Sequence, residues 1–401
     1  MTDVRKRVAM ISYSFYRNDD RIRRHVSNLV ADGFEVDLIS LRYTDQKTDF
    51  TKEHVRLFFP RSRCYGVSNQ LRVLWEYVAF MWSCTFILLS NHLFSKRYCL
   101  LHVNNMPNFL VFSGLPLRIL RVPLLLDIHD AMPEIYQDKF GGKPRPFITR
   151  CLYLEERVCM RLADYVITTE HTKWQRLLTN GLSKDKSDVV MNAADPGVWK
   201  RLSTPEEEMD PTKEFRLIFH GTLAPRLGVD VALRAMKTII QSIPQVRLDI
   251  LGDGEQRTEL VQMTEEMGLS KWVHFSDGFV PVDKLPDYVC RAHLAILPYR
   301  NTIAVKYGMP TKLLECVRLG VPCVCVDIPT VLHYFNDRQV RFFPSEDSEA
   351  LAAQVIGLYE RPEEREELVH EAAKFLDQHN FETERDRYLG VVHKLVDRRV
   401  Q

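Results

Sequence analysis

Apolar and polar positions follow two alternating rhythms along the chain. Short apolar runs are separated by longer segments in which apolar residues recur every three or four positions, the signature of βαβ units and a parallel sheet. In the first half, Val8 to Ser12, Val36 to Ser40, Leu100 to Val103, Leu124 to Ile128 and Tyr165 to Thr168 read as strands. The helix after the first carries Ile22, Val26, Leu29 and Val30 at i, i+4, i+7 and i+8, with Gly33 as its stop, so one stripe can cover a sheet. In the second half, Arg216 to His220, Val246 to Leu251, Val273 to Ser276, Leu294 to Leu297 and Val321 to Val326 are strand candidates, separated by helices such as Val229 to Ile240 and Glu255 to Met267. The segment Phe381 to Val400 sets Tyr388, Val391, Val392, Leu395 and Val396 at helical spacing, a stripe that has to pack on something.

Between the halves, Asn192-Ala193-Ala194-Asp195-Pro196 leads to Pro205, the acidic run Glu206 to Glu208 and Pro211, the most linker-like composition in the chain. The pattern predicts an α/β protein of two doubly wound domains either side of about residue 200. Open parallel sheets bind ligands beyond the C-terminal ends of their strands, so the strand-end loops and the clefts they face are where chemistry is expected.

Composition narrows the class. The 401 residues hold 54 Lys plus Arg and 53 Asp plus Glu, a net charge of +1, which argues against a nucleic-acid partner held by bulk charge. Charged residues at 27% and hydrophobic ones at 45% exclude a mainly disordered, collagen-like or polytopic membrane chain. Nine cysteines without a CxxC pair suggest neither a disulfide framework nor a zinc cage, and they read as reduced thiols of a cytoplasmic protein. Cys323 and Cys325 share one face of a strand as small hydrophobes. Met1 to Arg7 runs directly into the first apolar run with no cleavage site, so no export signal is read. The stretch 77–94 has no formal charge, but Ser83, Thr85, Ser90, Asn91 and His92 interrupt it. A connecting helix is expected there, with a monotopic, membrane-contacting helix as the alternative.

Three loops of the second half suit a phosphorylated ligand. His220 to Gly228 leaves a strand, turns on Gly221 and Gly228 and opens a helix; its glycines would let backbone N–H groups approach an anion, and Arg226 offers a planar donor fork. Gly252-Asp253-Gly254 ends another strand, but Arg257 stands where a dinucleotide fingerprint needs its third glycine, and a plain tight turn is an equal reading. In the segment from Gly308 to Gly320, Pro310, Leu313, Leu314 and Val317 share one helical face, while Thr311, Lys312 and Glu315 share the other. That places a hydroxyl, an ammonium and a carboxylate together, although a solvated Lys312–Glu315 pair would look the same in sequence. In the first half, Asp127 and His129 alternate onto one face at the end of an apolar run, where polar groups are costly without partners or a task. Asn18, Asp19 and Asp20 include the cap of the first helix, and Arg21, Arg23 and Arg24 read either as surface charge or as contacts to an anionic acceptor.

Taken in order, NDDRIRRHVSNLVADGFEV (18–36), DIHDAMPE (127–134), VMNAADP (190–196), HGTLAPRLGVD (220–230), LGDGE (251–255) and PTKLLECVRLGVP (310–322) resemble the GT-B glycosyltransferases of family four across nearly the whole chain. The resemblance implies two Rossmann-like domains: residues 1–197 for the acceptor, joined by a C-terminal helix 380–401 that crosses back, and 198–379 for the donor. It implies retaining transfer of a sugar from a UDP- or GDP-linked donor to a saccharide or lipid-linked saccharide, without metal or other cofactor, in exopolysaccharide or glycoconjugate assembly. The expected setting is cytoplasmic, on the inner membrane face if 77–94 touches lipid. Donor contacts are expected at Gly221, Thr222, Arg226, Gly252, Gly254, Thr311, Lys312, Leu313 and Glu315, with Glu315 on the ribose. Acceptor contacts are expected at Asn18, Arg21 and Asp130. His129 is placed near the reacting carbon and, with Arg226 and Glu315, is counted as catalytic. Where the family's E-x7-E motif has its first glutamate, this chain has Tyr307, which implies a changed sugar pocket and leaves a non-catalytic sugar-nucleotide-binding subunit as the alternative. A GT-B epimerase or phosphorylase is a further rival.

Overall fold

The computed structural model describes residues 5–42, 50–52, 54–62, 70–139, 144–201 and 210–397; residues 18, 50–52, 70, 71 and 139 are described by their backbone alone. The chain forms two compact units, Met1–Asn192 with Glu384–Gln401, and Ala193–Thr383. The division falls at Asn192/Ala193 rather than at 197/198. Pro205 and the acidic run Glu206 to Glu208 lie outside the described residues.

Unit 1 is built on strands β1 (Arg7–Ile11), β2 (Glu35–Arg42), β3 (Phe50–Lys52), β4 (Val55–Ser62), β5 (Tyr98–Asn104), β6 (Leu124–Ile128), β7 (Tyr165–Thr168) and β8 (Ser187–Val189). Their order is β3-β4-β2-β1-β5-β6-β7-β8, parallel throughout except for β3, which runs antiparallel to β4 at one edge. All seven residues of β5 and all five of β6 are buried, as expected of strands covered by helices on both faces. One face packs under the helix Gln70–Phe94 through Phe80, Cys84 and Leu88. The other packs under the helix Asp20–Ala31 through Ile22, Val26 and Leu29, and under the C-terminal helix Phe381–Asp397 through Tyr388, Val391, Val392, Leu395 and Val396. The apolar stripe of the last segment thus has its partner: from Glu384 onward the chain returns to unit 1.

The helix Gln70–Phe94 is two-faced. By length and composition its stretch Arg72–Phe94, with mean hydropathy 1.5, could cross a membrane. Yet Phe80, Cys84, Leu88 and His92, four residues apart, all lie against the unit, while Trp75, Trp82, Phe86 and Phe94 are 64 to 86% exposed. A helix with one side in a protein core and the other open is the connector expected from the alternating pattern, with an apolar outer face.

Unit 2 repeats the architecture with β9 (Phe215–His220), β10 (Val246–Leu251), β11 (Val273–Phe275), β12 (Leu294–Leu297), β13 (Cys323–Val326) and β14 (Arg341–Phe343) in the all-parallel order β11-β10-β9-β12-β13-β14. Cys323 and Cys325 are buried in β13, and every cysteine among the described residues is a free thiol. Both sheets therefore reverse their strand order at a central pair, β1/β5 and β9/β12, which is where an open α/β sheet exposes its ligand crevice.

Candidate functional site

At the strand ends of unit 2, three chain segments converge because glycines permit it. Gly252 has φ +145°, and a Cβ on it would sit 1.9 Å from the Gly221 carbonyl oxygen; a Cβ on Gly254 would sit 2.3 Å from that of Leu223. The loops after β9 and β10 thus lie backbone against backbone, tied by Leu223 N–H donating to the Asp253 carbonyl at 2.9 Å. Gly221 (φ +130°) leaves room on its other side for Lys312, whose Cε would stand 2.6 Å from an added Cβ. The glycine N–H groups, expected to face an anion, are already engaged: Gly221 donates to Leu251 O, Gly252 to Ser276 Oγ and Gly254 to Asp253 Oδ1. These glycines serve close packing of the loops.

Lys312 and Thr311 open the helix Thr311–Leu319, whose first N–H groups have no partner within the helix. Pro310 precedes the helix rather than starting it, and Gly320 ends it in the left-handed conformation at φ +68°. Leu313, expected at the ligand, is fully buried, and its N–H donates to Pro310 O at 3.0 Å; it belongs to the apolar face with Leu314 and Val317. Thr311, Lys312 and Glu315 share the opposite, half-open face, as the helical spacing predicts. Glu315 is not the solvated partner of Lys312. Its Oε2 lies 2.7 Å from Nε2 of His220, the last residue of β9, which is 1% exposed. Burial alone would raise the Glu315 carboxyl, but the His220 hydrogen bond and the His220 and Lys312 charges outweigh it and hold the group below the usual carboxylate range. Glu315 is accordingly ionised at neutral pH, and His220 Nε2–H donates to it.

Thr222 and Arg226 are exposed on the loop after β9. The Arg226 guanidinium has no ion-pair partner among the described residues, although its backbone is fixed. Its carbonyl accepts from Arg300 N at 2.9 Å, and the Arg300 side chain binds the Pro225 carbonyl, Asp230 (2.7 Å) and Glu346. Arg300 carries no motif, and its partners lie 46 to 75 residues away in sequence, so nothing local marked it. Tyr307 ends a short 3-10 turn, with the Lys306 ammonium 6.0 Å from its ring.

Unit 1 has its own strand-end cluster. Asp127 is fully buried, and Arg21 grips both of its oxygens, Nε to Oδ2 at 2.7 Å and NH2 to Oδ1 at 3.0 Å. Arg21 NH1 donates to Val190 O and Asn192 Oδ1, both at 3.0 Å. The expectation that Arg21 meets an acceptor is therefore corrected: at 6% exposure it neutralises a buried carboxylate and holds the chain where it leaves the unit. His25 (3.3 Å) and His102 (4.0 Å) flank Asp127 Oδ2, and the Tyr388 hydroxyl lies 3.0 Å from His102 Nδ1. The Asn18 side chain lies outside the described residues; the helix cap is Asp19, which accepts from Ile22 N.

His129 and Asp130, beyond β6, are half-buried, and their N–H groups both donate to Asn105 Oδ1, at 3.0 and 3.1 Å. The His129 carbonyl accepts from Lys173, a 3%-exposed ammonium that also binds Thr169 and Glu170. The His129 ring Nδ1 has no hydrogen-bond partner among the described residues. Asn105 and Lys173 position this turn, and neither was singled out in sequence. Asp127, spaced to share a face with His129, is instead bound within the unit.

Two Rossmann-like units in tandem define the GT-B architecture. The family described as Glycosyl transferases group 1 matches residues 201–375, and the Glycosyl transferase 4-like domain matches residues 20–193. The chain belongs to the GT-B glycosyltransferases of family four. Its fold is that of sucrose-phosphate synthase from Thermosynechococcus elongatus, with TM-score 0.79 and 17% identity over 98% of this chain and all of that one. It is also that of the Anabaena protein HepE in complex with UDP, with TM-score 0.71 and 15% identity over 97% of this chain and all of that one. In sequence it is 28% identical over 216 residues to an exopolysaccharide phosphotransferase of Streptomyces coelicolor, a match to 53% of this chain and 20% of that protein. The chain spans 20 to 53% of the length of the first four curated relatives it matches.

Proposed function

We propose that the protein is a retaining glycosyltransferase that moves a sugar from a nucleotide-diphosphate donor to a saccharide or lipid-linked saccharide in polysaccharide or glycoconjugate assembly. The observation that carries this reading is the presence, at the strand ends of unit 2, of an Arg226 without an ion-pair partner among the described residues, a Lys312 laid across Gly221 and an ionised Glu315. Two cations meet a diphosphate without a metal, and the carboxylate accepts from the ribose diol. As the glycosidic bond breaks, negative charge grows on the diphosphate, so cations fixed beside it stabilise the transition state more than the ground state. His129, half-buried beyond β6, is assigned to the donor sugar, and Tyr307 to the altered end of its pocket. HepE supports a uridine donor by its bound UDP.

Calorimetric titration with UDP, GDP, ADP and CMP, repeated with Glu315→Ala, tests the donor site. One nucleotide should bind, at least tenfold more weakly in the variant; binding unchanged by the substitution would remove Glu315 from the site. Arg226→Ala should lower turnover on the order of 100-fold.

The same reading places the protein on the cytoplasmic side of a membrane through the outer face of Gln70–Phe94. The aromatics to test are Trp82 and Phe86; Phe80 is 0% exposed and belongs to the core. Wild type should cosediment with anionic liposomes, and Trp82→Ala with Phe86→Ala should release it. Absence of cosedimentation by the wild type would refute membrane contact.

A further inference from the structure

His220 carries no role in the reading above, yet its environment is unusual. The ring is 1% exposed and lies 5.8 Å from the Trp199 ring, in a tilted arrangement. Its Nδ1 is buried with no hydrogen-bond partner among the described residues, so its one polar tie is Nε2 to Glu315 Oε2 at 2.7 Å. Burying an imidazole with half its hydrogen-bonding capacity unmet is unfavourable, and an apolar residue would fill the end of β9 more cheaply. What the histidine adds is direction. It reaches from β9 to a helix 95 residues further along the chain and holds one carboxylate oxygen, while the Glu315 backbone is fixed by the helix. A carboxylate has acceptor sites on both oxygens, so Glu315 keeps capacity for a diol after His220 is satisfied.

We infer that His220 is a positioning residue that aims the Glu315 carboxylate and thereby sets the site's preference for a ribose over a 2′-deoxyribose. This rests on the reading of Glu315 as the ribose contact. Lys312 and Arg226, which would meet the diphosphate, do not bond to His220, so phosphate affinity and ribose discrimination separate.

The test measures binding of UDP, 2′-deoxy-UDP, GDP, 2′-deoxy-GDP and inorganic pyrophosphate to the full chain and to three variants. His220→Phe keeps a ring without a donor; His220→Asn is polar but too short to reach Glu315; His220→Gln can place an amide N–H near the position of Nε2. Where Phe in that space prevents folding, Asn provides an independent loss. Wild type should prefer the ribonucleotide by about tenfold or more, as expected when a bond to a charged group is lost. Either loss variant that folds should bring the ratio to within about threefold of unity with pyrophosphate affinity unchanged, and Gln should restore it. Undiminished discrimination in a folded loss variant overturns the inference, and so does an equal loss of pyrophosphate binding, which would mean general collapse of the site. No nucleotide binding by the wild type would refute the donor site itself, and this role with it.

Discussion

Arg21→Met tests the account of unit 1 at its most buried charge. The substitution keeps an unbranched apolar stem but removes the donors that reach Asp127 at 2.7 and 3.0 Å, leaving a fully buried carboxylate flanked by His25 at 3.3 Å and His102 at 4.0 Å. Burial would raise the Asp127 carboxyl, and Arg21 leads the interactions that instead hold it well below the usual range. Breaking a buried pair from one side costs about 3–5 kcal/mol, because the remaining charge is uncompensated. For a unit of this size, each kcal/mol lowers Tm by about 2–4 °C, so a shift of roughly 6 to 20 °C is expected. Arg21→Met combined with Asp127→Leu should recover more than half of that loss, since no orphan charge remains. The measurement is calorimetric unfolding of the full chain, following the transition that near-ultraviolet circular dichroism assigns to unit 1. A shift under about 2 °C for the single variant, or a double variant less stable than the single, would refute the argument that charge burial dominates here.

The remaining predictions concern acid, glycine and the long helix. His25 and His102 are buried, and burial holds His25 well below its usual value and His102 down to about 4. From about pH 6.5 downward the unfolded chain therefore takes up protons that the folded one refuses, and unit 1 should lose on the order of 1.4 kcal/mol per pH unit for each histidine; urea midpoints that stay flat from about pH 8 to 5 would contradict this. Gly252→Ala should cost about 3 kcal/mol or more, since strain at φ +145° adds to overlap with Gly221 O. Gly268→Ala, at φ +70° with nothing within 4 Å, should cost about 1 kcal/mol; equal losses in urea unfolding would dismiss the loop-packing argument. Phe80→Ala should destabilise by about 3–5 kcal/mol, and Phe86→Ala, at 75% exposure, by less than about 0.5.

Much of the fold was legible because the core strands are buried on both faces and read as continuous apolar runs. β1, β2, β5, β6 and β7, and β9 to β13, all fall on predicted runs, with ends shifted by a residue or two. The strands that escaped are β4, which lies inside the sheet between β2 and β3, and three edge elements. β3, β8 and β14 have three residues each, and the middle residue of β8 is exposed, so no apolar run announces them.

The site residues divide along the same line between local and distant information. Thr311, Lys312 and Glu315 were readable as one face because helical spacing is local. What each charge does was not readable, because it depends on a partner far along the chain. Arg21 meets Asp127 106 positions on, and Glu315 meets His220 95 positions back. An arginine beside a strand end looks alike in sequence whether it waits for an anion or closes a buried ion pair. Burial decides between the two: Arg21 is enclosed with hydrogen bonds from all three of its guanidinium nitrogens, whereas Arg226 is exposed with its backbone pinned by Arg300 and its guanidinium without an ion-pair partner among the described residues. A buried guanidinium without a carboxylate would be too costly to keep, whereas an exposed one stays solvated and can meet an anion from solution. On that physical ground the proposed diphosphate contact rests on Arg226 and not on Arg21.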